Sequence, residues 1–206
     1  DVNALNCVCR ENGYIDFETE RENRYYYYIF TKSRKAALHF AVQNKLVEYV
    51  ELLLSDPRTD VNILCESFKE HWRSGLKDSD DDIYDIDDVA FYDINTQDIE
   101  SSSSVLDMAL DNDDIEMFKL LLSNPKIDVN LLSISESISE TVLHRAVYNQ
   151  KVEMVKLLLS HPKIDVNIPQ SKTGYSHDET KTALHIAYQK KNQEIINLLL
   201  KRNDIN

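Results

Sequence analysis

Carboxylates are the most concentrated chemical groups in this sequence. Asp78, Asp80 and Asp82 have the alternate spacing of a calcium-binding loop, in which carboxylate oxygens are the ligands. Ile83, however, stands where an EF-hand needs glycine, and Val89 stands where it needs a bidentate glutamate. The EF-hand match therefore fails. A solvated acidic run is the first interpretation, followed by a docking surface for a basic partner and then by calcium binding.

Three histidines hold the same position in a phrase that recurs along the chain, namely His39, His144 and His185. Imidazole binds zinc, but every ligand of a zinc ion lies within about 2.1 Å of the metal. Packed helices lie about 8–10 Å apart, so equivalent histidines in successive copies cannot share one ion. We predict that these histidines instead bridge backbone groups of neighbouring turns. Asp107, which replaces the histidine in one copy, can still accept a hydrogen bond there.

Catalytic and cofactor motifs are missing from the sequence. Cys7 and Cys9 lack a second pair at zinc spacing, and Cys65 is distant from them. Neither a G-x-S-x-G nor an HExxH motif occurs, and three glycines cannot build a phosphate-binding loop. We therefore predict no enzyme activity, no catalytic residue, no cofactor and no metal. An odd cysteine count is typical of reduced thiols, which predicts a cytoplasmic protein.

The charge of the chain limits its partners. The net charge is −13 at pH 7, and residues 63–103 contribute twelve acidic and three basic side chains to it. Nucleic acids and anionic membranes are phosphate surfaces that attract cations, so we expect neither as a partner. No apolar run approaches the roughly 18–20 residues of a membrane helix, and the N-terminus lacks the pattern of a signal peptide. We predict a soluble monomer that favours a protein partner with a basic surface.

The elements that position these residues are four copies of one phrase. Each copy reads T-x-L-H-x-A, a polar break, V/I-E-x-V-x-L-L-L and then D-V-N, with substitutions. The third copy is ETVLHRAVYNQKVEMVKLLLSHPKIDVN. The copies occupy residues 35–62, 104–130, 140–167 and 181–206. A phrase repeated at this length indicates a repeat architecture.

Each copy predicts two short antiparallel helices. In the third copy, Leu143, Ala146 and Val147 lie at i, i+3 and i+4, which is one apolar face of a first helix. Val155 and Leu158 continue the apolar face of a second helix. The polar residues between the two faces break the helix. The Asp and Asn of each D-V-N are expected to form turns through bonds to nearby backbone.

The ends of the second helices are set by proline in three of the copies. Pro57, Pro125 and Pro162 follow the leucine runs, and Asn203 stands at the corresponding end of the fourth copy. One helix pair alone cannot be stable, because burying a leucine contributes about 1.5–3 kcal/mol whereas ordering each residue costs about 1–2 kcal/mol. Stacked pairs cover each other's apolar faces, so we predict that the copies pack side by side.

This combination of motifs resembles the ankyrin repeat. The resemblance covers the four copies and implies an all-α fold with short β-turn fingers, an ankyrin-type α-solenoid of stacked helix-turn-helix repeats. It implies one ankyrin repeat domain over residues 1–206. The sequence departs from the family pattern in four places: the proline of T-P-L-H is absent, polar residues replace the Gly-His between helices, an S-x-P turn replaces the glycine after the second helix, and Asp107 replaces one histidine.

Two of the fingers carry long insertions, at residues 4–34 and 63–103. Lengthening a loop several-fold adds only about 1.5 kcal/mol of closure entropy, so an array tolerates them. The first insertion contains four consecutive tyrosines, which predict a strand packed on the first repeat or paired in a hairpin. An aromatic contact patch is the alternative. The spacing of Cys65, Phe68, Trp72 and Leu76 predicts a short amphipathic helix in the second insertion, and Ser103 or Ser104 is the expected N-cap of the helix that follows.

The resemblance implies a protein–protein interaction module that binds its partner through a concave groove and extended fingers. Tyr148 is the strongest single candidate because tyrosine is enriched among interface hot spots. The predicted contact residues late in the first helices are Gln43, Asn44, Asp111, Asn112, Tyr148, Asn149, Gln189 and Lys190, and the fingers add Tyr26, Tyr28, Asp80, Asp82 and Asp85.

Two alternatives to a binding module remain open. D-V-N at the first residues and D-I-N at the last resemble cuts at repeat edges, so the chain could be a structural spacer within a longer ankyrin array. It could also be a regulatory domain attached to an enzyme elsewhere in the full-length protein.

Overall fold

The computed structural model describes residues 9–16, 25–75, 90–135, 138–172 and 180–205. In this part of the chain, eight helices form four pairs, one in each predicted copy. The pairs are α1 (Ala37–Gln43) and α2 (Val47–Ser55), α3 (Val105–Asp111) and α4 (Ile115–Leu122), α5 (Val142–Tyr148) and α6 (Val152–Ser160), and α7 (Ala183–Lys190) and α8 (Gln193–Leu200).

Each pair turns at a residue in the left-handed conformation. Lys45, Asp113, Gln150 and Lys191 have φ between 53° and 56°, although none is a glycine. In the first pair the N–H of Lys45 donates to the carbonyl of Val42 at 3.1 Å, and the N–H of Leu46 donates to that of Ala41 at 2.9 Å. This is a Schellman turn, and its two bonds recur in the other three pairs. The predicted polar break is therefore this turn.

The helix ends follow the predicted signals. Ser104 caps α3, since its Oγ accepts from the N–H of Asp107 at 3.1 Å, which confirms one of the two predicted caps. Asp114 caps α4 in the same way at 3.0 Å from the N–H of Met117. Helices α2, α4 and α6 end two or three residues before the prolines that were expected to stop them.

Neighbouring pairs pack against each other in chain order. Among the first helices, α1 contacts α3, α3 contacts α5, and α5 contacts α7. Among the second helices, α4 contacts α6, and α6 contacts α8. One cluster of buried apolar residues runs through all four pairs, and it includes Leu143, Ala146, Val147, Val155 and Leu158. The predicted apolar faces of the third copy are therefore the faces that the packing buries.

The fingers form one antiparallel sheet. Among the described residues it has seven strands that follow one another in sheet order as they do in sequence. The strands are β1 (Cys9–Asp16), β2 (Tyr25–Arg34), β3 (Cys65–Gly75), β4 (Ala90–Ser103), β5 (Leu132–Ser135), β6 (Ile138–Thr141) and β7 (Ser171–Lys172). Because β2 pairs with β3, and β4 with β5, the sheet joins the fingers of successive copies.

One of the two secondary-structure predictions for the insertions is confirmed, and the other is wrong. The tyrosine run lies in β2 and pairs with β1 and β3, which confirms the predicted strand. The predicted amphipathic helix is wrong, because residues 65–75 form β3 between β2 and β4. Backbone pairing along both edges outweighs the local helical spacing, and Leu76 lies outside the described residues. The fingers of the two insertions are therefore strands of 8 to 14 residues rather than short turns.

The D-V-N phrases link each copy to the next. Within the phrase, the N–H of Asn62 donates to Asp60 Oδ1 at 3.0 Å, which confirms the turn predicted for the Asp side chain. Asn62 Nδ2 also donates to the carbonyl of Lys126 at 2.9 Å, and its Oδ1 accepts from the N–H of Asp128 at 2.8 Å. Asn130 makes the same two bonds to the third copy, and Asn167 Nδ2 bonds the carbonyl of Asp204 at 2.6 Å. The prediction that the Asn side chains bond nearby backbone is wrong, because they join successive copies instead.

The left-handed turns allow a test of the helix-pair geometry. We expect Lys191→Gly to have a free energy of unfolding about 1 kcal/mol higher than that of Lys191→Ala, because alanine retains the steric cost of positive φ and glycine does not. Urea unfolding followed by circular dichroism measures the difference. A glycine variant no more stable than the alanine variant would contradict the turn conformation.

Candidate functional site

The predicted contact residues of the helices lie together at the C-terminal ends of α1, α3, α5 and α7. Because these four helices pack in sequence, their ends form a continuous row, here called the first-helix row. Six of its side chains are exposed and two, Asn112 and Lys190, are partly buried. The row consists of Gln43, Asn44, Asp111, Asn112, Tyr148, Asn149, Gln189 and Lys190.

The first two copies are joined along this row by Asn112. Its Nδ2 donates to the carbonyls of Val42 and Gln43 at 3.3 and 3.4 Å. Lys45 Nζ donates to the carbonyl of Asn112 at 3.4 Å in the opposite direction. Asn112 therefore holds the end of α3 against the end of α1. The amide nitrogen of its side chain already makes hydrogen bonds within the chain.

The second and third copies are joined by Arg145. Its Nη2 lies 2.9 and 2.8 Å from the two carboxylate oxygens of Asp111, and its Nη1 lies 3.3 Å from Asp107 Oδ1. The Asp107 side chain is only 1% exposed. Partial burial raises the pKa of Asp111, Arg145 opposes that shift, and the charge of Asp107 adds to it. Arg145 is thus the counter-ion of the buried carboxylate that replaced a histidine.

The third and fourth copies are joined by an aromatic contact. Lys190 Nζ lies 3.5 Å from the centroid of the Tyr148 ring, which is the geometry of a cation–π interaction. Tyr148 is nevertheless 57% exposed. The ring is held in place by the neighbouring copy while much of its surface faces solvent. That combination favours use as a rigid contact residue.

One exposed aromatic residue of α1 was not among the predicted contact residues. Phe40 is one helical turn before Gln43 and is 57% exposed. The only signal for it in the sequence is that the corresponding positions of the other copies hold Met108, Arg145 and Ile186, so this position is not fixed by the repeat.

His39 has the predicted bridging role, whereas His144 and His185 are seen with the first of its two bonds, in which Nδ1 accepts a backbone N–H. His39 Nδ1 accepts from the N–H of Ala36 at 3.1 Å, and its Nε2 lies 3.0 Å from the carbonyl of Ile63 in the finger. His144 Nδ1 accepts from the N–H of Thr141 at 3.2 Å. In the described segments, no group of three or more His, Cys, Asp and Glu residues could hold a metal ion.

Burial disfavours the charged form of these histidines. It lowers the pKa of His39 to about 4, although the bond to Ile63 opposes the shift and the charge of Lys35 adds to it. Burial likewise lowers the pKa of His144 to about 4 against the opposing backbone carbonyls of Ile168 and Lys181. Both rings are therefore neutral in the folded protein near pH 7. A neutral ring can accept a backbone N–H at Nδ1, as the fold requires.

Of the predicted contact residues in the fingers, the two tyrosines lie in the described part of the chain and the three aspartates do not. Tyr26 and Tyr28 lie in β2, where their backbone pairs with Ser74 and Trp72 of β3. Asp80, Asp82 and Asp85 lie outside the described residues, as does Asp78, the first of the three aspartates with the spacing of a calcium-binding loop. The structure therefore brings together the helix part of the predicted site and leaves its acidic part untested.

Two family models of the same kind of repeat match the regions of the four copies. The family model described as "Ankyrin repeats (3 copies)" matches residues 106–206. The model described as "Ankyrin repeat" matches residues 35–66. A comparison with curated proteins finds no significant match. Among the described helices, none has the length and apolar character needed to cross a membrane.

The buried histidines predict a pH dependence. Since the folded pKa of about 4 lies below the ordinary value of 6.5, the stabilisation is complete above pH 6.5 and is lost as pH falls towards 4. The loss attributable to His144 is about 3 kcal/mol. We expect His144→Asn to have a lower free energy of unfolding at pH 7.5 but a shallower fall between pH 6.5 and 4.5, as measured by urea unfolding. If the free energy of unfolding falls with pH equally in the variant and the wild type, His144 does not contribute the pH dependence assigned to it.

Proposed function

The chain belongs to the ankyrin repeat family, and we propose that it binds a partner protein through the first-helix row and the fingers next to it. Ankyrin repeats are generally protein–protein interaction modules and are typically non-catalytic. We infer further that the four helix pairs form a solenoid within one domain and that this chain has no catalysis of its own. Packing of each first helix on the next supports the solenoid.

The observation that carries this proposal is the contact across every junction of the first-helix row. Asn112 reaches back to the carbonyl of Val42, Arg145 reaches Asp111, and Lys190 covers Tyr148. A surface whose side chains are already fixed loses less conformational entropy on binding. The row therefore presents amide, carboxylate and aromatic groups in a preorganised arrangement that suits protein recognition.

The partner that this surface and its fingers favour is a protein with a basic face. Residues 63–103 hold twelve acidic and three basic side chains, a net charge of −9. Such a local charge raises the rate of encounter with cationic surfaces. The same charge disfavours nucleic acid and anionic membranes, so we propose neither as a partner. The odd cysteine count is typical of reduced thiols, which supports a reducing compartment such as the cytoplasm, and we propose a monomer there.

A second candidate function is a segment of a longer ankyrin array, and it is favoured by the exposure of the two end pairs. Tyr49 of α2 is 61% exposed, whereas the corresponding Met117, Met154 and Ile195 are at most 1% exposed against the preceding pair. At the other end Tyr188 is 56% exposed, whereas its counterparts Val42, Leu110 and Val147 are fully buried by the next pair. Further repeats would cover both end faces.

A matched pair of tyrosine variants tests the binding proposal. Tyr148 and Tyr49 have similar exposure, but only Tyr148 belongs to the first-helix row. We expect Tyr148→Ala to weaken binding of the protein captured by the wild-type chain by at least about thirtyfold, the loss of a hot spot of about 2 kcal/mol. Tyr49→Ala should bind like wild type. Titration calorimetry with the captured protein measures both affinities, and equal losses would count against the row as the binding site.

Hydrogen exchange tests the longer-array candidate separately. If neighbouring repeats cover the end faces, the amides of α2 and α8 should exchange more slowly in the full-length gene product than in the 206-residue chain. Amides of α4 and α6, which are internal in both cases, provide the control. Identical exchange of α2 and α8 in both proteins would remove this candidate.

A further inference from the structure

The second helices of the first two pairs leave a groove between them. Its volume is about 410 Å³, and none of its lining residues belongs to the first-helix row. Helices α2 and α4 pack less closely than α4 and α6 or α6 and α8. The groove is lined by Val47 and Glu51 of α2 and by Glu116, Met117, Lys119, Leu120 and Ser123 of α4.

The charges at this groove differ from those at the packed junctions. Glu51 holds the position that Lys119 and Lys156 hold in α4 and α6. Between α6 and α8, Lys156 Nζ bonds Glu194 Oε1 at 3.1 Å, and Glu116 is the residue of α4 that corresponds to Glu194. The junction of α2 and α4 therefore has two carboxylates where that of α6 and α8 has a lysine and a glutamate.

One of these two carboxylates is already paired within its own helix. Lys119 Nζ lies 2.8 Å from Glu116 Oε1. Among the described residues that line the groove, Glu51 is thus the carboxylate that a cation from outside can pair with. A lysine or arginine placed beside Glu51 would restore the cation that the packed junction between α6 and α8 contains.

The floor of the groove is apolar. Met117 is buried and Leu120 is partly buried, whereas Val47 at the rim is 46% exposed. The groove is open to solvent, so apolar side chains of a partner can reach this floor.

We propose that this groove docks an amphipathic helix of a partner protein, which places apolar side chains over Val47 and Leu120 and a lysine or arginine beside Glu51. A helix is the matching element because the groove runs between two helices, the arrangement in which an amphipathic helix lays its apolar face. Charge complementarity with Glu51 selects a basic helix over an acidic one. The site is separate from the first-helix row, so it goes beyond the binding function proposed above.

A pair of designed peptides tests the proposal on the intact 206-residue chain. One is a helical peptide with a leucine face and a lysine face, and the other has glutamate at each lysine position. Both are titrated into the ¹⁵N-labelled chain and followed by NMR. We expect the leucine–lysine peptide to shift the amides of Val47, Glu51 and Leu120 and to saturate, and the leucine–glutamate peptide to bind at least fivefold more weakly.

Two charge-reversal variants separate the groove from the overall charge of the chain. Glu51→Lys should weaken binding of the leucine–lysine peptide by about fivefold, the scale of an exposed ion pair. Glu48→Lys makes the same change of charge at an exposed position of α2 that does not line the groove, and should change the affinity less than twofold. Circular dichroism verifies that both variants are folded.

Three results would overturn the proposal. Shifts confined to the first-helix row or the fingers would place the peptide elsewhere. Equal effects of Glu51→Lys and Glu48→Lys would show that binding follows net charge alone. Concentration-dependent shifts of Val47 and Leu120 without any peptide would show that a second copy of this chain covers the groove.

Discussion

The interface between successive helix pairs is the interaction on which the rest of this structure depends. A pair of helices with seven to nine residues each has too little apolar surface to be stable alone. Four pairs in contact bury one continuous apolar cluster. Positions that are buried inside the array are exposed at its ends, as Tyr49 and Tyr188 are, so burial follows from the neighbour rather than from the pair itself.

The same interface positions the candidate binding surface. Because the first helices pack in order, their C-terminal ends form a row, and side chains from each copy reach the next across that row. Asn62 and Asn130 add backbone bonds on the side of the D-V-N turns. The sheet of the fingers continues the link, since β2 pairs with β3 and β4 with β5. Packing, turns and strands therefore fix the relative placement of residues that could contact a partner.

Local patterns in the sequence predicted the helix pairs, the proline stops, the Ser104 cap and the bridging role of His39. Each of these depends on residues within one turn or one copy. The same reasoning assigned residues 66–76 to a helix, because the spacing of Phe68 and Trp72 is helical. Their strand conformation depends on pairing with β2 and β4, which are distant in sequence. A local pattern cannot contain that information.

The contacts of the candidate site divide in the same way. The exposed positions late in the first helices could be predicted, because only the packed positions repeat. The pairing of Arg145 with Asp107 and the position of Lys190 over Tyr148 could not, since each joins residues of neighbouring copies. The replacement of histidine by Asp107 was the one sequence signal for a compensating cation. The groove between α2 and α4 gave no signal until Glu51 could be compared with Lys156 across a known junction.

Native-state hydrogen exchange on Leu158→Ala tests the dependence of each pair on its neighbours most directly. Leu158 of α6 is fully buried in the shared cluster, and its truncation costs about 2–5 kcal/mol. If each pair depends on its neighbours, the amides of α4 and α8 will lose protection along with those of α5 and α6. Loss of protection in α5 and α6 alone, with α4 and α8 unchanged, would show instead that the pairs are stable independently.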